Sequence, residues 1–240
     1  MNSLSFLENK NTFTILIIGF FISILTGPFL SDSLLIIIGA TAMYNYRKLF
    51  FFYLKKNLLL SLFGGLLVCL FIIYLFAEKP FVSIIYSLAY SRYLIFTFAV
   101  FIIFMKNEQI LYKLPNLILI LIFFIFINVF MQDYFGFDLF GNRPIFDYRL
   151  SSFFKEELIM GKITIGLLII FLATFFYSNK ILFNNSILII FSISLYIILM
   201  SGERVALFNY LTVLFVYFFF LLKNNLIKMI FLLISFIFVV

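Results

Sequence analysis

Long apolar runs, separated by short polar breaks, occupy most of the chain. A helix needs about 20 apolar residues to cross the hydrocarbon core of a bilayer. The pattern therefore predicts an all-α fold, a polytopic transmembrane helical bundle of about nine spans. The predicted spans cover residues 12–27, 30–46, 57–77, 81–105, 114–131, 161–177, 186–200, 205–222 and 226–240.

The two ends of this pattern differ from its middle. The first two runs are short and are joined by GPFLSD, so they either cross separately or form a tight hairpin that crosses in part. The last run reaches Val240 with no flanking charge, although most spans end at an anchoring Lys, Arg, Trp or Tyr. We therefore expect residues 1–240 to be a single transmembrane domain and the front part of a protein of about ten to twelve spans.

Composition places the chain among integral membrane proteins. Hydrophobic residues make up 65% of it and charged residues 11%, with a mean hydropathy of +1.23. A soluble domain is nearer half apolar and a quarter charged. The single cysteine, Cys69, excludes an intrachain disulfide, and histidine is absent. We expect no metal and no cofactor.

The distribution of Lys and Arg indicates the orientation, because these residues collect in cytoplasmic loops. A cytoplasmic N-terminus puts ten basic residues inside: Lys10, Arg47, Lys48, Lys55, Lys56, Lys106, Lys113, Lys180, Lys223 and Lys228. Six fall outside: Lys79, Arg143, Arg149, Lys155, Lys162 and Arg204. This orientation makes 132–160 an extracytoplasmic loop and puts the SGER turn (201–204) on the same side.

The SGER turn places two adjacent charges between apolar runs. Ser201 and Gly202 suit a helix break followed by an N-cap. Glu203 then falls in the first turn of the eighth span, where the helix dipole favours a negative charge. Arg204 is disfavoured there, and Glu203 is one expected partner for it. The turn is either an ordinary exposed ion pair or an arginine directed at an anion.

The 132–160 loop contains a second arginine beside serines and acids. Ser151 or Ser152 can cap a short helix, with Glu156 and Glu157 in its first turns. Arg149 would then lie near the start of that helix. The segment is either a solvated loop with an interfacial helix or an anion site at the outer leaflet.

Two polar residues fall inside predicted spans. Arg92 lies about ten residues into the fourth span, where an unpaired charge costs several kcal/mol. It either snorkels outward or lines a polar cavity with a loop carboxylate or a bound phosphate as its counter-charge. Asn128, deep in the fifth span, is interpreted as bonding to a neighbouring helix.

Two stretches carry a family resemblance. RLSSFFKEELIMGK (149–162) resembles the R-L-[ST]-G-x-F-x-D/E-E-L-x-x-G segment of bacterial O-antigen ligase and O-antigen polymerase-like membrane proteins. SGERVAL (201–207) is similar to the later S-G-[ES]-R-[GAT]-A turn of that family. The chain departs from the pattern at Ser152, where the family usually has glycine. It also lacks the histidine that such ligases are thought to use.

The resemblance implies an enzyme, a metal-independent glycosyltransferase of cell-surface polysaccharide or lipopolysaccharide biosynthesis. It would transfer a glycan from a polyprenyl-diphosphate carrier to an acceptor glycan or lipid core at the outer face of the cell inner membrane. Arg149 and Arg204 match the motifs and are the expected catalytic contacts to the diphosphate. Arg92, Glu157 and Glu203 are the expected substrate-binding and orienting residues.

Other functions remain open from the sequence. The chain could be a transporter or lipid-linked glycan flippase, although its prolines fall at span ends and no paired broken helices occur. It could also be a non-catalytic membrane subunit. The expected partners are the polyprenyl-linked donor, a glycan or lipid acceptor and the bilayer, without nucleic acid. Ligase and polymerase activity cannot be separated, and the general base is not identified.

Overall fold

Eight α-helices make up most of the protein in the computed structural model, which describes residues 10–26, 28–76, 80–144, 149–154, 159–178 and 185–221. The helices are α1 (Lys10–Ser23), α2 (Pro28–Lys56), α3 (Leu58–Leu75), α4 (Pro80–Lys106), α5 (Gln109–Phe135), α6 (Met160–Ser178), α7 (Asn185–Ser201) and α8 (Arg204–Leu221). Short 3-10 turns occur at Ile24–Thr26 and Ser152–Phe154. No β-strand occurs in these residues, so the prediction of an all-α fold is confirmed.

Several helices have the length and composition of membrane spans. Within the described ranges, four segments are long and apolar enough to cross a bilayer: Leu58–Leu75, Ala89–Lys106, Gln109–Phe135 and Met160–Tyr177. Shorter apolar helices cover Thr14–Thr26, Ile187–Ser201 and Arg204–Phe219. The membrane-helical character is thus confirmed, whereas the number of nine spans is not. The predicted ninth run, 226–240, lies outside the described residues.

The chain divides into two compact units, residues 1–110 and 111–240. In the first unit α2 packs against α1, α3 and α4, and α3 packs against α4. A Cβ at Gly39 would lie 3.1 Å from Ile95 Cγ2 and 3.6 Å from the backbone nitrogen of Phe96. Glycine therefore allows a close approach of α2 and α4, which is how membrane helices gain packing contacts. A buried cluster lies beside this contact: Phe50, Leu60, Leu94, Phe98 and Ile102.

Two local features shape the connection from α2 to α3. Tyr46 has φ −125° and ψ 24°, which interrupts α2 with a kink. Asn57 separates α2 from α3, and its Oδ1 accepts hydrogen bonds from the amides of Leu59 at 3.0 Å and Leu60 at 3.4 Å. This cap satisfies donors that the first turn of α3 would otherwise leave without a partner.

The second unit holds α6, α7, α8 and nearly all of α5. Helix α6 packs against both α7 and α8. The Tyr210 hydroxyl of α8 donates to the carbonyl of Phe191 in α7 at 2.9 Å. The Tyr196 hydroxyl of α7 donates to Asp133 Oδ2 of α5 at 2.7 Å. Tyrosine hydroxyls thus connect α7 to both α8 and α5 in this unit.

Replacing Asn57 by alanine should lower the free energy of unfolding by about 1 kcal/mol, because the two capped amides of α3 lose their acceptor. Thermal unfolding in detergent measures the effect. The matched control is Asn57→Ser, which keeps a capping oxygen and should lie close to wild type. Equal loss in both variants would show that the cap is not the cause.

Candidate functional site

The turn between α7 and α8, residues 201–204, reverses the chain tightly. Gly202 has φ +64°, a conformation that glycine adopts without strain, and its amide donates to the carbonyl of Leu199 at 3.1 Å. The Ser201 hydroxyl donates to the carbonyl of Ile198 at 2.7 Å and accepts from the amide of Glu203 at 3.3 Å. The predicted helix break at Ser201 and Gly202 is therefore present.

Glu203 joins this turn to the start of α6. Its Oε1 accepts a hydrogen bond from the amide of Gly161 at 2.8 Å, and only 7% of the residue is exposed. The amides at a helix N-terminus have no partner within the helix and carry partial positive charge. The expected ion pair between Glu203 and Arg204 is not formed, because the carboxylate binds α6 instead.

The environment of Glu203 shifts its protonation. Burial raises the pKa of the Glu203 carboxyl above its ordinary value. The hydrogen bond from Gly161 and the positive charges of Lys162 and Arg149 act in the opposite direction, because they favour the carboxylate. Glu203 is thus a desolvated acid held beside two cations.

Arg149 lies directly on the α7–α8 turn. Its Nε donates to the carbonyl of Ser201 at 3.2 Å, and the amide of Leu150 donates to the carbonyl of Met200 at 2.9 Å. A Cβ at Gly202 would lie 2.9 Å from Arg149 Cγ and 3.0 Å from its Nε. Glycine at this position therefore leaves the space that the arginine side chain occupies.

Arg204 is the first residue of α8, so Arg149 and Arg204 belong to the same end of the second unit. Arg204 is exposed, and its guanidinium has no hydrogen bond or ion pair with any residue that the structure describes. A guanidinium can grip a phosphate through two parallel hydrogen bonds. The turn thus offers two arginines beside one buried carboxylate, an arrangement suited to an anionic ligand.

Two buried amides of α5 hold the segment that leads to Arg149. Asn128 Nδ2 donates to the Ser152 hydroxyl at 2.7 Å, and Asn128 Oδ1 accepts from the amide of Leu139 at 2.8 Å. Gln132 Oε1 accepts from the amide of Ser152 at 2.8 Å. The prediction that Asn128 bonds to a neighbouring helix is wrong, because its partners belong to the segment after α5. The four-residue spacing of Asn128 and Gln132, which puts both on one helix face, was the available signal.

Ser151 precedes the 3-10 turn and Ser152 is its first residue, and neither side chain accepts a hydrogen bond from a backbone amide of the described residues. The Ser152 hydroxyl is bound to Asn128, and Ser152 has φ +53°. Ser151 Oγ is buried with no hydrogen-bond partner among the described residues. Neither serine therefore acts as a cap within the described part of the segment. Glu156 and Glu157, and with them the first turns of the predicted helix, lie outside the described residues.

Arg92 belongs to the first unit and is paired there. Its Nη2 lies 3.1 Å from Asp32 Oδ2, near the start of α2, and 3.0 Å from the hydroxyl of Tyr93. A carboxylate thus supplies the counter-charge that its depth in an apolar helix requires. Arg92 also lines an open groove of about 520 Å³ whose other lining residues are mainly apolar.

Comparison with other proteins adds no assignment. No family model matches the sequence, and neither a curated protein nor a solved structure matches it. Within the described residues, no group of three or more His, Cys, Asp or Glu side chains could hold a metal ion. The function must therefore be inferred from the chemistry and geometry of the residues themselves.

Gly161→Ala should destabilise the protein by about 1–3 kcal/mol through overpacking. The new Cβ would lie 2.6 Å from Ser201 Oγ and 3.2 Å from Glu203 Oε1. Gly166→Ala, also in α6, is the matched control, because a Cβ there meets nothing within 4 Å. It should be neutral or slightly stabilising in the same thermal unfolding measurement. If both substitutions behave alike, α6 does not approach the turn closely.

Glu203→Gln should change how stability depends on pH. Burial raises the pKa of Glu203 in the folded state. Its favourable contribution to the free energy of unfolding is therefore complete below the unfolded-state pKa, and it is lost as pH rises through the folded-state pKa. Glutamine keeps an oxygen for Gly161 and cannot ionise. As the pH is raised from acid to neutral, the thermal unfolding temperature of wild type should therefore fall relative to that of Glu203→Gln. If the unfolding temperatures of the two proteins changed with pH in parallel, the raised pKa of Glu203 would be contradicted.

Proposed function

We propose that the α7–α8 turn binds the diphosphate of a polyprenyl-linked glycan, and that the protein transfers this glycan to an acceptor sugar. The reaction would occur at the extracytoplasmic face of the cell inner membrane, with the N-terminus in the cytoplasm. The supporting observation is the position of Arg149, whose Nε is held by Ser201 while its terminal nitrogens form no hydrogen bond within the described residues. Arg204 follows three residues after Ser201 with its guanidinium exposed.

The chemistry of glycan transfer explains why two arginines suit this role. A hydroxyl oxygen of the acceptor forms a bond to the anomeric carbon while the bond from that carbon to the diphosphate oxygen breaks. The diphosphate leaves with the bonding electrons, and the hydroxyl proton is released. Guanidinium groups already in place would stabilise the growing charge on the leaving oxygen without a metal.

The resemblance to O-antigen ligase and polymerase-like proteins supports the same interpretation. Arg149 and Arg204 occupy the arginine positions of the two motifs. The first motif usually has glycine where this chain has Ser152, and Ser152 adopts φ +53°, a conformation that glycine favours. Serine at that position is held by its bonds to Asn128 and Gln132.

Glu203 has an orienting role in this proposal. Its carboxylate lies close enough to Arg149 for that charge to affect its protonation, and it anchors the turn to α6. Arg92 is engaged by Asp32 in the first unit. The proposal therefore depends on Arg149 and Arg204, while substrate contacts by Arg92 and Glu157 stay predictions.

Arg204→Lys tests this function most cleanly, because the Arg204 side chain supports no described contact. Lysine keeps the charge but cannot form the two parallel hydrogen bonds, so we expect glycan transfer to fall about 100-fold or more. The full-length protein would be assayed in detergent with a polyprenyl-diphosphate-linked oligosaccharide and an acceptor glycan. Arg143→Lys, at an exposed site before the undescribed part of the same segment, is the control.

The outcomes separate the competing functions. Loss in Arg204→Lys with activity retained in Arg143→Lys supports a diphosphate contact. Wild-type transfer by Arg204→Lys would contradict it. A flippase moves its substrate between leaflets and would form no new glycosidic bond in detergent, so absence of product with the wild-type protein would argue against a transferase.

A further inference from the structure

A small open cavity lies beside the kink of α2 in the first unit. Tyr46 departs from helical geometry there, and a cavity of about 200 Å³ opens beside it. Its lining residues are Tyr44, Asn45, Tyr46, Arg47, Lys48 and Leu49. All six are consecutive, so the cavity is a product of the interrupted helix.

Positive charge surrounds this cavity. Arg47 and Lys48 are exposed, and neither has a hydrogen bond or ion pair with a residue in the described ranges. Lys106, the last residue of α4, places its Nζ 3.9 Å from the centre of the Tyr46 ring. Asn45 Nδ2 is buried and has no acceptor among the described atoms. Three cations and an amide donor without a carboxylate partner are complementary to a phosphate group.

An apolar groove continues from the cavity along α2. It has a volume of about 520 Å³ and shares Tyr44 and Arg47 with the cavity. Between Leu35 and Arg47, where the groove meets the cavity, the helix rises about 18 Å. This length exceeds half of the hydrocarbon thickness of about 30 Å, the depth of one leaflet. The groove is therefore long enough for an acyl chain of a single leaflet.

We propose that the cavity and the groove together bind one anionic phospholipid. Its phosphate headgroup occupies the kink cavity beside Arg47, Lys48 and Lys106, and one acyl chain lies in the groove against Ala40 and Ile95. The positive-inside pattern puts this headgroup in the cytoplasmic leaflet. The site is built from the first unit alone and does not depend on the proposed glycan transfer.

Native mass spectrometry of the detergent-purified, full-length protein tests this site. Dioleoyl phosphatidylglycerol should bind to wild type more tightly than dioleoyl phosphatidylcholine, which has the same chains without net charge. The double variant Arg47→Gln/Lys48→Gln should bind the anionic lipid about 25-fold more weakly, the combined effect of two basic residues near a headgroup. The matched control, Lys55→Gln/Lys56→Gln, removes the same charge further along α2 and should lose less than about fivefold.

A second variant tests the contribution of the acyl chain to binding separately from that of the phosphate. Ala40 is exposed and lines the groove, so the larger side chain of Ala40→Phe would fill it. This variant should bind long-chain phosphatidylglycerol more weakly than wild type, and should bind the short-chain dihexanoyl form as well as wild type does. Inorganic phosphate should not displace the long-chain lipid.

Three results would overturn the proposal. Equal weakening by both double variants would mean general charge attraction, and displacement by inorganic phosphate would mean a free-anion site. A dimer that Ala40→Phe dissociates would mean that a second copy of the chain covers the groove.

Discussion

The hydrogen bond from the Gly161 amide to the Glu203 carboxylate is the contact on which the candidate site depends. In an apolar chain, the first amides of a helix have few possible partners, and leaving one without an acceptor is costly. The carboxylate supplies that acceptor, although its own burial disfavours the charged form. The contact fixes the start of α6 against the α7–α8 turn, and Arg149 lies on the other side of the same turn. The Gly161 amide and the Glu203 carboxylate thus each reduce the cost of burying the other polar group.

The helix boundaries were predicted best at the SGER turn, where a glycine follows the apolar run. The predicted end of one span at 200 and start of the next at 205 each differ by a single residue from the end of α7 at Ser201 and the start of α8 at Arg204. The prediction was poorer for α5, which continues past Met131 to Phe135, and for α2, which continues through its basic residues to Lys56. A helix does not stop where hydropathy falls, because its backbone hydrogen bonds persist beyond the apolar segment.

The candidate site was predictable in its chemistry and less so in its contacts. Charge distribution and motif order singled out Arg149 and Arg204, and the structure places Arg149 on the turn that precedes Arg204. The partner of Glu203 is 42 residues away in the chain, and Asn128 bonds to Ser152 at a separation of 24 residues. No periodicity marks pairs of this kind, since they depend on how a long connecting segment folds back.

The kink at Tyr46 also bears on how α2 fits a bilayer. Its 29 residues, if straight, would measure about 43 Å, well beyond a hydrocarbon thickness of about 30 Å. The part before the kink, residues 28–45, measures about 27 Å and nearly matches that thickness by itself. The remaining piece, which ends in Lys55 and Lys56, packs on α4 through Phe50 and Tyr53, whose rings lie 4.8 Å from Phe98 and 5.2 Å from Phe101. A bilayer would thus meet α2 as two shorter pieces, whereas a continuous helix of the same length would have to tilt as a whole.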